Sequence, residues 1–194
     1  MSYIKIKNFS SIKEHIKKNT LVVFDIDETI GKFNNNNINK KWWLTYKKKH
    51  FLKYGNYIDV NKCGQKEWFK YNANIKFLHT DKQNLVNIIQ ETRNKYNKVV
   101  AVTARYNDHK HLTLKQLYDL DIKFDNIHDS NETYESGIFF AGDESKGNII
   151  LDICRTSNIK NVVFIDDKYY NLKDVYNKLK STNINLYLYQ ACFV

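Results

Sequence analysis

The apolar positions of this chain fall into short, unbroken runs separated by stretches with helical periodicity. Leu21-Val22-Val23-Phe24, Val99-Val100-Ala101-Val102 and Val162-Val163-Phe164-Ile165 are continuous apolar blocks, the signature of strands buried on both faces rather than of one-sided amphipathic strands. Between them, Leu85, Ile88 and Ile89, then Leu114, Leu117 and Leu120, then Ile149, Ile150 and Ile153, then Leu172, Val175, Tyr176 and Leu179 recur at the spacing of a helix face. Gly137-Ile138-Phe139-Phe140 predicts a further strand, paired with residues 122–127, and Leu186 to Tyr189 a last one. Ser11 with Glu14 and Thr80 with Gln83 have the form of capping boxes and predict helix starts at those points. A helix is predicted to begin near Lys146. Repeated strand-helix units of this kind predict an α/β fold with a central parallel sheet covered by helices on both faces.

One segment breaks the alternation. Residues 31–82 open on the polar tract Asn34 to Asn37, read as a loop, and continue with Trp43, Tyr46, His50, Phe51 and Tyr54, then Trp68, Tyr71, Ile75 and Leu78, each set at helical spacing and separated by turn-rich sequence around Gly55 and Gly64. The expectation is a core formed by residues 1–30 and 83–194, with residues 31–82 as an inserted unit of two or more helices. Aromatic stripes at helical spacing are more often packing than stacking platforms, and the insert's rings are read first as packing.

Composition narrows the class. A chain of 194 residues with 42% hydrophobic and 27% charged positions buries a real core, which excludes disorder and fibrous repeats. No apolar run approaches the roughly 18–20 residues of a membrane helix, and Met1 to Asn8 lack the apolar stretch of a signal peptide, so a cytoplasmic location without membrane attachment is expected. Cys63, Cys154 and Cys192 are far apart and lack zinc spacing; they are expected to be reduced thiols.

The net charge of +10 is not spread evenly: residues 31–82 hold 12 Lys against three acids, a net +9, which leaves +1 for the other 142 residues. Lysine accounts for 28 of the 31 basic residues, proline is absent and Asn is abundant, the pattern of an AT-rich coding sequence. A solvated, lysine-rich face and a surface for anionic partners both account for such a segment.

The chemistry concentrates at the C-terminal ends of the three apolar blocks. Asp25-Ile26-Asp27-Glu28-Thr29 follows the first, Thr103-Ala104-Arg105 the second and Asp166-Asp167 the third, with Lys146 between the last two. Open α/β sheets bind their ligands at that edge, and packing does not require this set. Val22-Val23-Phe24-Asp25-Ile26-Asp27-Glu28-Thr29 resembles the first motif of the haloacid dehalogenase-like (HAD) superfamily, Thr103 the second, Lys146 the third and Asp166-Asp167 the fourth. With Lys146-Gly147 heading a helix and Asn171 after Phe164-Ile165-Asp166-Asp167-Lys168, the chain also looks like an uncharacterised, mostly bacterial subgroup of HAD-like phosphatases.

The resemblance implies a HAD-like Rossmannoid core with a small helical cap inserted after the first motif, and a Mg²⁺-dependent phosphatase. Asp25 is then the nucleophile that forms an aspartyl-phosphate. Asp27 is the general acid and base, with its backbone carbonyl on the metal, and Asp166 completes the protein ligands, with Asp167 sharing that role or orienting it. Thr103 and Lys146 hold the transferring phosphoryl oxygens, and Lys146 also restrains Asp25. Arg105 is a candidate for substrate binding or for a surface ion pair, Asn171 for support of the metal shell or for opening the last helix, and Thr29 for stabilising a turn. Glu28 is assigned nothing. His109 and His111, two apart, do not share a helical face and are not read as metal ligands. The substrate is expected to be a phosphorylated small molecule or a phosphorylated nucleic-acid end. The alternative is a HAD scaffold with vestigial catalysis that binds nucleic acid or a phospho-ligand through the basic insert. A dehalogenase is disfavoured, because cleaving a carbon–halogen bond needs no acid at Asp27.

Overall fold

A computed structural model describes residues 1–34, 40–93, 96–127 and 133–193, without the side chains of residues 40, 41, 52, 54 and 58. The chain divides into two compact units, Met1–Gly31 with His79–Val194, and Lys32–Leu78. In chain order the strands are β1 (Ile4–Ile6), β2 (Thr20–Phe24), β3 (Gly31–Phe33), β4 (Phe77–His79), β5 (Lys98–Thr103), β6 (Tyr134–Glu135), β7 (Ile138–Phe140), β8 (Asn161–Asp166) and β9 (Asn185–Ala191). The helices are α1 (Lys40–Tyr54), α2 (Tyr57–Tyr71), α3 (Lys82–Thr92), α4 (Lys110–Asp119), α5 (Lys146–Thr156) and α6 (Tyr169–Leu179), with short 3₁₀ turns at Phe9–His15 and Asn107–His109.

The larger unit is the α/β architecture that the alternating pattern predicts: a seven-stranded sheet in the order β1-β9-β8-β2-β5-β7-β6. All its pairs are parallel except β6 with β7. β2 lies between β8 and β5, with Phe24 opposite Ile165 on one side and Ala101 on the other. Every residue of β2 is buried, as its uninterrupted apolar run requires. Leu21, Val23, Val100, Val102 and Phe164 pack with Ile150 of α5 and Leu172 and Val175 of α6. Toward the other face, Phe9 meets Phe24 edge-on, and α3 packs on the 3₁₀ turn that carries Phe9. Each such fully buried aliphatic or aromatic side chain contributes about 1.5–3 kcal/mol, so this double-sided core holds the three central strand ends rigidly in place.

The local signals differ from expectation in ways that have physical reasons. The Ser11/Glu14 signature does not cap a helix: the segment is a 3₁₀ turn preceded by Asn8, with no side-chain cap bond. The start of α3 is capped by Asp81, one residue after the predicted Thr80, because Thr80 donates its amide to the Ile30 carbonyl at 3.1 Å and turns its hydroxyl toward the Thr29 and Ile30 carbonyls. Residues 122–127 are not a strand. Only Asp125 joins the sheet, its amide donating to the Val99 carbonyl (2.8 Å) and its carboxylate accepting from the Val99 amide (2.7 Å), while β7 pairs with β5 and with β6.

In the smaller unit, α1 packs on α2. Gly64 is not a turn residue but sits inside α2, because a Cβ there would lie 2.6 Å from the Trp43 ring: the glycine is a seat for the indole. Gly55, with φ +74, does supply the turn between the helices. Ile75 and Leu78 do not continue the helical face of Trp68 and Tyr71, since α2 ends at Tyr71 and Leu78 belongs to β4, which pairs with β3. Phe33 gathers Trp68, Phe69 and Phe77 around it, so these aromatics are packing, as their spacing suggests. Of the predicted Asn34–Asn37 loop, residues 35–37 lie outside the described residues, as does the Tyr54 side chain.

Among the described residues no helix is long and apolar enough to cross a membrane. All three cysteines are free thiols; burial pushes the Cys154 thiol up to about 12, whereas Cys63 and Cys192 are half-buried. At pH 8 a thiol-disulfide reagent should titrate Cys63 and Cys192 in the native protein and reach Cys154 roughly a thousandfold more slowly, or only in guanidinium. Rapid labelling of all three native thiols would show that the α5 core opens freely.

Candidate active site

The parallel register brings the ends of β2, β5 and β8 side by side, which is the sheet edge where α/β folds bind ligands. The β2 ladder runs one residue past the strand, the Asp25 amide donating to the Ile165 carbonyl at 2.9 Å. Asp25 is thereby fixed beside Asp166. The chain then turns tightly, with the Ile30 and Gly31 amides both donating to the Ile26 carbonyl (2.9 and 3.1 Å) and Glu28 in the left-handed region at φ +61. Within this turn the Thr29 hydroxyl lies 3.4 Å from Asp25 Oδ2 and accepts from the Asp167 amide at 3.1 Å. Thr29 therefore does more than stabilise a turn: it ties the first acidic motif to the last.

Lys146 is the first residue of α5, and its position is set by the groups around it. Ser145 caps the helix by accepting from the Asn148 amide (3.1 Å) and donates to Asp174 of α6 at 2.8 Å. The Gly147 amide donates to the same carboxylate at 2.9 Å. Gly147 lets α5 approach α6, since a Cβ there would lie 2.7 Å from Lys178 Cγ. From this anchor the Lys146 ammonium reaches Asp25 Oδ1 at 2.6 Å and Asp166 Oδ2 at 2.7 Å, with all three groups buried. Asp166 also accepts from Asn171 Nδ2 and from the Lys168 amide, both at 2.8 Å. Asn171 thus supports the acidic cluster directly.

The electrostatics follow from this packing. Burial, aided by the nearby Asp166 and Asp27, raises the Asp25 carboxyl to about 6, with Lys146 opposing the rise. For Lys146 burial works toward the neutral amine, but Asp166 and Asp25 outweigh it and its pKa is raised, so the ammonium stays charged. Burial also raises Asp167, whose Oδ2 is 2.5 Å from Lys168 Nζ. Burial likewise opposes the charge on Lys168, and Asp167 overcomes it.

The carboxylate oxygens of Asp25, Asp166 and Asp167 lie within 4.8 Å of one another. Asp167 Oδ1 is buried and has no hydrogen-bond partner among the described residues. An unpaired buried carboxylate oxygen is costly. Three hard oxygen donors converging around it fit a cation of the Mg²⁺ or Ca²⁺ kind, not a site built for Zn²⁺. The Asp27 carboxylate stands outside this group; the expectation for that residue concerned its backbone carbonyl. His109 and His111 take no part in the cluster.

Asp27 is instead gripped by Arg105. The guanidinium donates in bidentate fashion, Nε to Oδ2 at 2.9 Å and Nη2 to Oδ1 at 2.8 Å, while Nη1 donates to Thr113 Oγ1 (2.9 Å) and Gln116 Oε1 (2.7 Å) of α4. The ion pair weighed for Arg105 exists, but it is not a surface pair, since the arginine side chain is 1% exposed. These bonds anchor the guanidinium between Asp27 and α4. The signal that sequence reading passed over is on α4, where Thr113 and Gln116 occupy the buried face beside Leu117. Buried polar residues on a helix face require a polar partner. Thr103, the last residue of β5, is fully buried, and its hydroxyl oxygen accepts from the Arg105 amide at 3.2 Å.

Comparison with known proteins gives the following. No curated protein matches the chain. Among solved structures the chain is similar to two of a HAD family enzyme from Bacteroides thetaiotaomicron, each in complex with magnesium and inorganic phosphate. An aspartate-to-alanine mutant aligns at 11% identity with a TM-score of 0.48, and the wild-type protein at 13% identity with a TM-score of 0.45. Both alignments cover 87% of this chain and 93% of the other. Residues 5–190 match the family described as "Protein of unknown function (DUF2608)", and the chain belongs to that family.

Proposed function

We propose that this chain is a Mg²⁺-dependent phosphatase of the haloacid dehalogenase type that hydrolyses a phosphate monoester through an aspartyl-phosphate on Asp25. The observation that carries the reading is the buried Lys146 ammonium held between Asp25 and Asp166, with the unpartnered Asp167 oxygen beside them. A core that needed only packing would gain nothing from burying two carboxylates and an ammonium, with a third carboxylate half-buried beside them, at the open edge of a sheet. The set also supports catalysis over a vestigial scaffold, because binding alone needs no nucleophile.

Asp25, Asp166 and Asp167 would hold the cation, together with the Asp27 carbonyl. When bound, Mg²⁺ supplies positive charge that offsets the repulsion between an anionic nucleophile and a phosphate ester. In the first step an Asp25 oxygen forms a bond to phosphorus and the bond from phosphorus to the ester oxygen breaks, with Asp27 giving that oxygen its proton. In the second step water attacks phosphorus, Asp27 takes the water proton, and the Asp25 carboxylate is released with inorganic phosphate. Lys146 restrains the attacking carboxylate and offers charge to the phosphoryl oxygens. Thr103 accepts from the Arg105 amide, so its hydroxyl hydrogen is left to donate to the same oxygens. Arg105 is a positioning residue: its fork on Asp27 leaves one lone pair of each oxygen for the proton transfers.

The test is hydrolysis of p-nitrophenyl phosphate across a chelator titration. EDTA should silence the protein, Mg²⁺ should restore it, and Asp166→Ala should raise the Mg²⁺ requirement by at least about tenfold. Ca²⁺ should inhibit, because its looser and larger shell would misplace the nucleophile. Full activity in excess chelator would overturn the metal assignment.

A further inference from the structure

We propose that the groove on the inserted unit, lined by Trp42, Tyr46, His50 and Tyr71 together with Lys49 and Lys53, binds single-stranded nucleic acid. The groove is about 470 Å³ and lies wholly within Lys32–Leu78, so its occupancy is measured apart from turnover. Two independent features point to that ligand.

The first is charge. α1 carries six lysines and no acid in fifteen residues, so none of the within-helix pairing that usually offsets a lysine run is available to it. Codon bias raises lysine everywhere, yet the rest of the chain balances its lysines with acids to within one charge. Glu67 of α2 is the only acid on the groove wall among the described residues. A helix that accumulates repulsion on this scale is relieved by a polyanion, and Lys49 and Lys53, one turn apart, track along the groove.

The second feature is a row of rings. Trp42, Tyr46 and His50, at successive turns of α1, stack nearly parallel, with centroids 5.1 and 4.3 Å apart and planes inclined by 26° and 23°. Tyr71 of α2 meets Trp42 edge-on across the groove. Trp43, seated on Gly64, meets both Trp42 and Tyr46 edge-on and ties the row to the unit's packing, while a separate edge-to-face group gathers around Phe33. The α1 row is only half-buried, and Tyr71 is 58% exposed. The stack covers the ring faces between its members, and the surface that the half-buried row and Tyr71 leave exposed, beside the lysines, forms the combination by which proteins hold single strands, with exposed ring surface taking bases and ammonium groups taking phosphates. A purely electrostatic face, such as one for an anionic membrane or an acidic protein, needs no such row.

The experiment is fluorescence anisotropy on the full chain with a short fluorescein-labelled oligothymidylate, alongside an abasic oligomer of equal length and charge and phosphatidylserine vesicles. The wild type should bind the oligothymidylate at least about tenfold more tightly than the abasic oligomer, and binding should weaken with salt. Lys49→Gln with Lys53→Gln should lower the slope of log affinity against log salt by about 0.7 for each phosphate that is no longer neutralised. Trp42→Ala should cost about tenfold at an unchanged slope, and Trp42→Phe should restore most of it. Hydrolysis of p-nitrophenyl phosphate should stay at the wild-type rate in all of these variants. Should Trp42→Ala unfold the insert by circular dichroism, Trp42→Phe and the lysine pair decide. Equal affinity for the abasic oligomer, tighter binding to vesicles than to the oligomer, or no binding at all would each overturn the proposal.

Discussion

Asp25→Asn should lower the turnover of p-nitrophenyl phosphate by at least about a thousandfold and leave the protein folded. The substitution is nearly isosteric, but it removes the charge that attacks phosphorus. It also removes a charge whose burial opposes folding. The Asp25 carboxyl is raised from 3.8 to about 6, chiefly by burial. An acid whose folded pKa lies above its unfolded value favours the folded state at low pH and loses that contribution as pH rises, here between about 4 and 6. With the cation chelated, the wild type should therefore lose roughly 2–3 kcal/mol from this group across that window, and Asp25→Asn should not. Activity and stability then move apart: the variant should melt no earlier than the wild type at pH 7 in EDTA while turning over almost nothing. Residual hydrolysis near the wild-type rate would remove Asp25 as the nucleophile. A variant that melts well below the wild type would instead mean that the carboxylate is structural.

The part of the molecule legible in the sequence is the part whose local pattern and tertiary role agree. β2, β5 and β8 are buried on both faces, so their apolar runs are unbroken, and the polar residues that end those runs necessarily sit together at one sheet edge. Lys146 was legible as the head of a helix, but what fixes it there is not: Ser145 and the Gly147 amide are held by Asp174, a bond between helices far apart in sequence. The Asp27–Arg105 fork spans 78 residues and rests on Thr113 and Gln116, whose place on the apolar face beside Leu117 signals a buried polar partner without saying which residue it is. β1, β3 and β4 are three residues each, too short to carry a period, and exist through pairing partners that composition does not announce. The capping boxes misplaced two starts for a related reason. A serine or threonine hydroxyl binds whichever carbonyl the fold offers, and for Thr80 those are the carbonyls of Thr29 and Ile30.

The largest stability effect should come from Lys146. Lys146→Met fits the same space, yet it leaves Asp25 and Asp166 buried with the ammonium that joins them removed. Breaking a buried pair by deleting one partner costs about 3–5 kcal/mol, because the remaining charges stay desolvated. Against a total of about 5–15 kcal/mol for a native domain, that should lower the melting temperature by roughly 10 °C or more in EDTA. Two further measurements separate this cause from simple loss of packing. Adding Asp25→Asn to Lys146→Met removes one of the stranded carboxylates, so Asp25→Asn should stabilise the Lys146→Met background by more than it changes the wild type, a coupling of opposite sign to that expected from two damaged core positions. Mg²⁺ should raise the melting temperature of Lys146→Met, since a cation among Asp25, Asp166 and Asp167 replaces part of the missing charge by binding the folded state alone. Turnover should stay at least about a hundredfold down even when Mg²⁺ restores the fold, because the methionine neither restrains Asp25 nor meets the phosphoryl oxygens. If the two substitutions simply add, or if Mg²⁺ leaves the melting temperature unchanged, then the carboxylates are not held as an ion cluster and the site's electrostatic account fails with them.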